Sequence, residues 1–310
     1  MNEFELIARL IPSLPTNPSV VTGAGDDCAV LDLGIPDRLV LFKTDAVVAG
    51  IHFTAETSPE MIGRKALARC LSDIAAMTGT PTAALVTIGL PPGFDPEYVA
   101  KIYEGMNRLA AQTGVAIVGG ETTTNPERML ISIALIGTVA RGKAVLRSGA
   151  KVGDAIFVTG ELGGSLAGRH LDFEPRLAEA RWLADHFTLH ALMDLSDGLS
   201  GDLGHILKAS SVGAELLKSS VPISRAAKLQ AREKSGNKPP FIAALTDGED
   251  FELLFTLASK DAVKVLDAWK KKFPAIKLTC IGRIVAGTGL AIRDGRGLIP
   301  FKANGYVHLS

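Results

Sequence analysis

The sequence predicts a mixed α/β protein built from two domains. Three observations carry that expectation. The chain has 310 residues, more than a single compact core usually holds. Strand-like apolar runs alternate with helix-like amphipathic ones through its first half. A polar, glycine-rich stretch, Arg147-Ser148-Gly149-Ala150-Lys151-Val152-Gly153-Asp154, then interrupts the pattern, so the division is placed beside it, into residues 1–143 and 144–310. Apolar residues make up 47% of the chain and charged ones 21%, a balance that suits a globular enzyme and argues against disorder. Basic residues number 33 and acidic residues 33. With no net field to draw in nucleic acid or an anionic membrane, any phosphate binding has to be local.

Residues 3–10 read as a short helix, followed by a loop rich in Pro, Ser and Asn that delivers Gly23-Ala24-Gly25-Asp26-Asp27, where glycines free the backbone. Two β-like runs come next, 28–33 and 38–48, the second carrying Lys43-Thr44-Asp45 and leading into Gly50-Ile51-His52-Phe53. The segment 59–78 is helical, with Pro59 suited to the first turn. Helical spacing puts Asp73 on the row of Ile62, Ala66 and Met77, so its carboxylate is expected to project from an apolar face. Residues 82–90 read as a strand, 95–113 as a helix, 115–119 as a strand running into Gly120-Glu121, and 129–140 as a further strand.

In the second half, 155–159 opens as a strand, Gly160-Glu161-Leu162-Gly163-Gly164-Ser165 leads into a helix, and 175–186 forms another. The turn Asp194-Leu195-Ser196-Asp197-Gly198 follows. Ser196 or Asp197 is expected to cap a helix that reaches about residue 209 and presents its free amides to an anion. Runs 214–221 and 251–257 are strand-like; 261–273 is an amphipathic helix whose Lys264, Lys270, Lys271 and Lys272 form a solvated face. Cys28, Cys70 and Cys280 are odd in number and lack zinc-site spacing, which reads as free thiols in a reducing cytoplasm. The first ten residues carry acids where a signal peptide would carry bases, and no run approaches the roughly 20 apolar residues of a membrane helix.

The residues with chemical potential are acids set at the edges of apolar segments: Asp26-Asp27, Asp45, Asp73, Glu121, Asp194 with Asp197, and Glu249-Asp250. Carboxylates held against apolar walls need a counter-charge. Basic residues are sparse beside these clusters in the sequence, and a ligand set of oxygens with almost no His or Cys selects a hard cation such as Mg2+, shared with substrate phosphates. Other chemistries lack their signatures. There is no Gly-x-x-x-x-Gly-Lys-[Ser/Thr] loop and no His-Arg-Asp or Asp-Phe-Gly motif. Gly23 and Gly25 lack the third glycine and the preceding strand of a dinucleotide fingerprint, and no Gly-x-Ser-x-Gly elbow supports a serine hydrolase. Carboxylate-held metal acting on phosphates remains.

Taken in order, the segments Phe4-Glu5-Leu6-Ile7, Gly25-Asp26-Asp27-Cys28-Ala29-Val30, Thr44-Asp45 with Gly50-Ile51-His52-Phe53, Leu71-Ser72-Asp73-Ile74-Ala75-Ala76-Met77, Gly119-Gly120-Glu121-Thr122-Thr123, Leu146-Arg147-Ser148-Gly149-Ala150, Asp194-Leu195-Ser196-Asp197-Gly198-Leu199, Gly248-Glu249-Asp250-Phe251 and Gly305-Tyr306-Val307-His308 span nearly the whole chain. Together they resemble the thiamine-monophosphate kinase family, ATP-dependent enzymes of the aminoimidazole-ribonucleotide-synthetase-like superfamily. The resemblance implies two α/β domains, the N-terminal one binding ATP and Mg2+ and forming a C2 homodimer. It implies that Asp27, Thr44, Asp45, Asp73, Glu121, Asp194 and Asp197 hold several Mg2+ ions, and that Tyr103, Gly120, Glu121, Arg147 and Ser196 contact ATP. His52, Glu249 and Tyr306 would surround thiamine monophosphate, with Tyr306 offering an aromatic face to the cationic vitamin. Taken alone, His52 reads as a packed, hydrogen-bonded histidine.

The reaction that the resemblance implies is direct in-line transfer of the ATP γ-phosphoryl group to the phosphate of thiamine monophosphate. A monoester phosphate has a second pKa of about 6, so the acceptor is already largely dianionic near neutral pH and no protein nucleophile is needed. The obstacle is repulsion between two polyanions, which Mg2+, Arg147 and helix-end amides would screen. Three positions depart from the family pattern. Glu121 stands where Asp is common, Thr124 where Arg usually follows the paired threonines, and Lys43 where Ser or Thr often precedes Thr44-Asp45. Lys43 is expected either to neutralise phosphate or to pair with a neighbouring Asp. Glu121 and Thr124 also motivate an alternative, a nucleotide- and metal-binding regulatory homologue without turnover. The amino terminus lacks the reactive Cys of selenophosphate synthetases, and the ending His308-Leu309-Ser310 lacks the Cys of hydrogenase-maturation relatives.

Overall fold

The computed structural model describes residues 3–233 and 238–302. In chain order the elements are α1 (Glu3–Leu10), β1 (Val20–Thr22), β2 (Ala29–Leu31), β3 (Arg38–Val48), α2 (Pro59–Ala76), β4 (Thr80–Leu90), α3 (Pro96–Thr113), β5 (Ala116–Thr124) and β6 (Leu130–Ala140). They continue with β7 (Asp154–Thr159), α4 (Arg169–Asp172), α5 (Leu177–His186), β8 (Leu189–Asp194), α6 (Leu199–Ser210), β9 (Gly213–Leu217), α7 (Arg225–Glu233), α8 (Pro240–Thr246), β10 (Leu253–Ala258), α9 (Ala262–Lys272), β11 (Leu278–Val285), β12 (Gly289–Asp294) and β13 (Gly297–Phe301). The fold is mixed α/β, as the sequence predicts. The chain divides into two compact units, an N-terminal one of Pro18–Ala144 with His170–Leu177 and a C-terminal one of Met1–Asn17, Val145–Arg169 and Ala178–Ser310. No helix among the described residues is long and apolar enough to cross a membrane.

The N-terminal unit is a six-stranded sheet in the order β1-β2-β3-β6-β4-β5, antiparallel except where β5 joins β4 in parallel. Alternation along the strands gives it one buried face. Leu39, Leu41 and Val47 of β3, Ile131, Ile133 and Leu135 of β6, and Val86 and Ile88 of β4 are buried there with Ile62, Leu67, Cys70, Leu71 and Ile74 of α2. Asp95 caps α3, accepting from the Glu97 amide at 2.9 Å, and Gly114 ends the same helix in the left-handed conformation. Helices α2 and α3 touch backbone to backbone through glycines. A methyl group on Gly63 would overlap the carbonyl oxygen of Ile102, and one on Gly105 that of Glu60. Cationic side chains of α2 fasten the later segment His170–Leu177 to this unit. Arg64 donates to the Phe173 carbonyl at 2.8 Å and to Glu174 Oε1 at 2.5 Å, while the buried Lys65 ammonium lies 2.8 Å from His170 Nδ1.

The C-terminal unit is a seven-stranded sheet in the order β13-β12-β9-β11-β7-β10-β8, antiparallel except for β9 with β12. Its core gathers Ile156, Val158, Met193, Leu203, Ile206, Leu254, Ile281 and Ile284. Lys264, Lys270, Lys271 and Lys272 of α9 are exposed, as expected, while Val265 and Trp269 turn inward. Sequence expectation and structure part company at short elements. The helix expected after Gly164 is a 3-10 turn, Ser165–Ala167, and the four residues of α4. The strand expected over 214–221 stops at Leu217. Neither Ser196 nor Asp197 caps α6: the N-cap is Gly198 at φ 101°, with no side-chain capping bond.

A buried polar knot closes the loops at the ends of β7 and β10. Asp250 accepts from the Gly163 amide at 2.9 and 3.1 Å and from Arg169 Nη2 at 2.5 Å. Glu252 accepts from the Thr159 hydroxyl at 2.7 Å. Burial pushes the Asp250 carboxyl up to about 7 even though Arg169 and the Gly163 amide pull it down. A carboxyl whose folded pKa is raised stabilises the protein fully below its unfolded pKa, about 3.9, and that contribution is lost as pH rises through the folded value. The expected outcome is a urea midpoint that declines from about pH 4 to about pH 8 at fixed ionic strength, with a shallower decline in Asp250→Asn. Equal slopes in the two proteins would remove Asp250 from the explanation.

Candidate active site

In the N-terminal unit the acids gather on the helix side of the sheet, and the sheet's own alternation sorts them. Consecutive residues of a strand face opposite ways. Asp45 pairs in register with the buried Ile133 and so faces α2, whereas Thr44 pairs with Ala134 and faces outward. Arg69 of α2 grips Asp45 in a fork, Nε to Oδ2 at 2.8 Å and Nη2 to Oδ1 at 3.2 Å. Burial alone would raise the Asp45 carboxyl; Arg69 and Lys43 overcome it and hold the group below its ordinary value. Lys43 Nζ lies 2.9 Å from Asp73 Oδ1, so of the two roles open to Lys43 the structure shows the ion pair. Burial would lower the Lys43 ammonium, but Asp73 and Asp45 outweigh it and hold it well above its ordinary value. Lys43 is a fixed cation.

Asp27 is buried beside Cys28 in the loop after β1. The Cys28 thiol is pushed up, first by burial and then by Asp73, with Asp27 adding to the effect and Lys43 opposing it. Asp45 and Asp73 are thus brought together around Lys43, and a carboxylate oxygen of Asp27 lies within 4.8 Å of one of Asp73. The expectation that cations are sparse around these acids is corrected here. Lys43 comes from two residues before Asp45, and Arg69 from one helical turn before Asp73, neither of which reads as a partner until β3 and α2 are packed. Cys28 and Cys70 are buried free thiols, and Cys280 is half-buried and free.

Thr44 and Glu121, the other expected metal ligands of this unit, stand apart from that group. Glu121 is exposed on the edge strand β5, in register with Thr87, which pairs with Ser132, which pairs with Ala46. Three strand spacings, roughly 14 Å, therefore separate its backbone from β3. Gly120 precedes it at φ 152°, where a Cβ would overlap the Val86 carbonyl. Thr44 lies 3.4 Å from the Ser132 hydroxyl on the outer face. Tyr103 is half-buried on α3, its phenol pushed up by burial. His52 is buried in the tight turn after β3: Val48 N donates to its Nδ1 at 3.1 Å, and Lys65 Nζ donates to its carbonyl at 2.6 Å. In the neutral ring that bond leaves the proton on Nε2.

In the C-terminal unit Asp194 ends β8, buried and in register with Leu253. Two loops then zip together. Leu195 N donates to Glu252 O at 2.9 Å, Phe251 N to Leu195 O at 2.7 Å, and Glu249 N to Ser196 O at 2.7 Å. The zip forces Glu249 and Phe251 to φ 61° and 50°, a left-handed conformation that such residues seldom adopt and that tends to persist where the surroundings fix it. Ser165 Oγ donates to the Glu249 carbonyl at 2.5 Å.

Asp197 is held by a residue that sequence reasoning missed. Its amide donates to Asp202 Oδ2 at 3.1 Å, a helix residue reaching back to the turn rather than the turn capping the helix. Burial, then Asp197 and Asp194, push the Asp202 carboxyl well above its ordinary value, with Arg147 opposing. Arg147 and Asp194 are thereby placed around the start of α6 with Asp197. A signal existed, an Asp in the first turn of α6 five residues after Asp197, but an acid in a first turn is ordinary. Tyr306 lies outside the described residues.

Residues 25–139 match the family described as AIR synthase related protein, N-terminal domain. The chain is 43% identical to the thiamine-monophosphate kinase of Rhodopirellula baltica over 88% of its own length and 86% of that protein's. To the Escherichia coli K12 thiamine-monophosphate kinase it is 35% identical over 99% and 98% of the two chains. A solved structure of AaThiL complexed with AMPPCP and TMP superposes on it with a TM-score of 0.83 at 31% identity, covering 99% of this chain and 97% of that one. The chain belongs to the thiamine-monophosphate kinase family.

Proposed function

We propose that the chain transfers the γ-phosphoryl group of ATP to thiamine monophosphate, forming thiamine diphosphate and ADP. The observation that carries this reading is the near-full-length likeness to a structure holding AMPPCP and TMP. Mg2+ fits the donor chemistry. Asp194 and Asp197 offer hard oxygens beside an Asp202 carboxyl whose pKa is driven up by burial and by those two charges, the mark of acids crowded beyond their local cations. Asp194 and Asp197 in the C-terminal unit, and Asp27, Asp45 and Asp73 in the N-terminal unit, would hold it. Bound there, Mg2+ supplies positive charge to the donor and acceptor phosphates.

The chain's own residues supply the rest. Lys43, kept charged by Asp73 and Asp45, is a permanent cation that pairs with Asp73 and so lowers the negative charge that an incoming phosphate meets. Arg147 does the same on the nucleotide, with Ser196, Tyr103 and Gly120 positioning it. His52 presents Nε2–H as a donor toward thiamine monophosphate, its ring angle fixed by the Val48 amide. Glu249, its backbone locked by the zipped loops, would contact the same substrate. With the acceptor phosphate already dianionic, orientation and charge screening account for the rate, and no covalent enzyme intermediate is formed.

Glu121, set apart on edge strand β5, fits a homodimer. Phe42, Leu85, Val118 and Ile136 expose apolar side chains on the outer face of the sheet, and a second copy covering that face would bury them. Sedimentation is expected to show a dimer at assay concentration; monomer alone at that concentration would contradict it. In a coupled ADP-release assay with Mg2+, turnover is expected to require thiamine monophosphate. Asp194→Asn or Asp197→Asn should lower kcat by about 100-fold or more with unchanged circular dichroism. Near-parent activity in both variants, or nucleotide binding without turnover in the parent, would overturn the reading.

A further inference from the structure

Two residues of α6 have no ligand-binding role above. Asp202 and His205 sit three apart and so share one helix face. Asp197 joins them through the bond from its amide to Asp202 Oδ2 at 3.1 Å. One carboxylate oxygen from each Asp and one ring nitrogen of His205 lie within 4.8 Å of one another. An independent observation points to a ligand. Asp202 is 1% exposed, and while its Oδ2 is spent on holding Asp197, its Oδ1 is buried without a hydrogen-bond partner. Burying a carboxylate oxygen unsatisfied is costly, and such an atom calls for a proton or a cation. Of the charged groups acting most strongly on Asp202, Asp197 and Asp194 are negative and Arg147 alone is positive.

We propose that Asp197, Asp202 and His205 form a divalent-cation site that takes a first-row transition metal in preference to Mg2+. Mg2+ keeps an all-oxygen shell with several waters and gains little from an imidazole, whereas a later divalent ion gains from the nitrogen donor. The geometry assigns Asp202 two tasks on its two oxygens: one sets the turn that carries Asp197, and the other faces the ion. Because Asp197 is shared, the site lies next to the Mg2+ chemistry proposed above, but it rests on Asp202 and His205, and neither ATP nor thiamine monophosphate is needed to test it.

The test is Mn2+ binding to the full-length protein without nucleotide, followed by the loss of the free-ion electron paramagnetic resonance signal, with Mg2+ as competitor. Parent protein is expected to bind Mn2+ about tenfold more tightly than Mg2+ and to show nitrogen modulation in the pulsed spectrum. His205→Gln should remove that modulation and weaken Mn2+ by about tenfold while leaving Mg2+ binding in place. Asp202→Asn should weaken both ions; should that buried change disturb folding, the half-buried His205 position decides the matter alone. Unchanged nitrogen modulation or unchanged Mn2+ affinity in His205→Gln would overturn the proposal, as would equal competition by Mg2+ in the parent. Loss of kinase activity with Mn2+ binding intact would count against the phosphoryl-transfer reading and leave this site standing.

Discussion

A carboxylate buried at the end of an apolar strand must meet positive charge, and both units are shaped by that requirement. In the N-terminal unit the protein itself supplies it. Lys43 and Asp73 lie 2.9 Å apart, and Arg69 forks onto Asp45, so β3 and α2 are tied by charge as well as by their apolar contact. The desolvation cost of such pairs can exceed their attraction; here Asp45 remains below its ordinary pKa, so the partners prevail. At the start of α6 the balance goes the other way, and Asp202 is driven upward. Protein cations answer Asp45 and Asp73 directly in one unit, while in the other the charges around Asp202 leave more for a bound cation to cancel.

Backbone geometry carries that electrostatic scheme to fixed places. Gly63 and Gly105 let α2 and α3 meet without side chains between them, which seats the helix bearing Arg69 and Asp73 firmly. In the C-terminal unit the zip between Leu195, Ser196 and the loop of residues 249–252 holds Glu249 and Phe251 in a left-handed conformation. Strain kept in a loop beside Asp194 and Asp197 is the pattern expected where side chains must be positioned before a substrate arrives.

Much of this was legible in the residues. The spans of β3 and of the helix bearing Asp73 follow from period and from Pro59, and Asp73 does project from the buried row of Ile62, Ala66 and Met77. Short elements were hidden: β1 is three residues that become a strand only by pairing with β2, and α7 and α8 are only nine and seven residues long. The partners of the acids were hidden too. Arg69 lies four residues before Asp73 on the same helix face, and its fork onto Asp45 of β3, like the pairing of Lys43 with Asp73, crosses from strand to helix in a way that local rules do not encode. Asp202 looked like a first-turn acid favoured by the helix dipole; only its bond to the Asp197 amide reveals what it does. Glu121 was legible as a carboxylate, but its distance from β3 depends on strand order, which no local pattern encodes.

The central claim is that these carboxylates grip metal where phosphorylated molecules bind. It is tested most directly by a crystal structure with AMPPCP, thiamine monophosphate and Mn2+, with data collected at the manganese absorption edge. Anomalous peaks are predicted against Asp194 and Asp197 and against Asp27 and Asp73, each within ligand distance of a phosphate oxygen. Both small molecules bound with no anomalous peak at any of these four residues would contradict it.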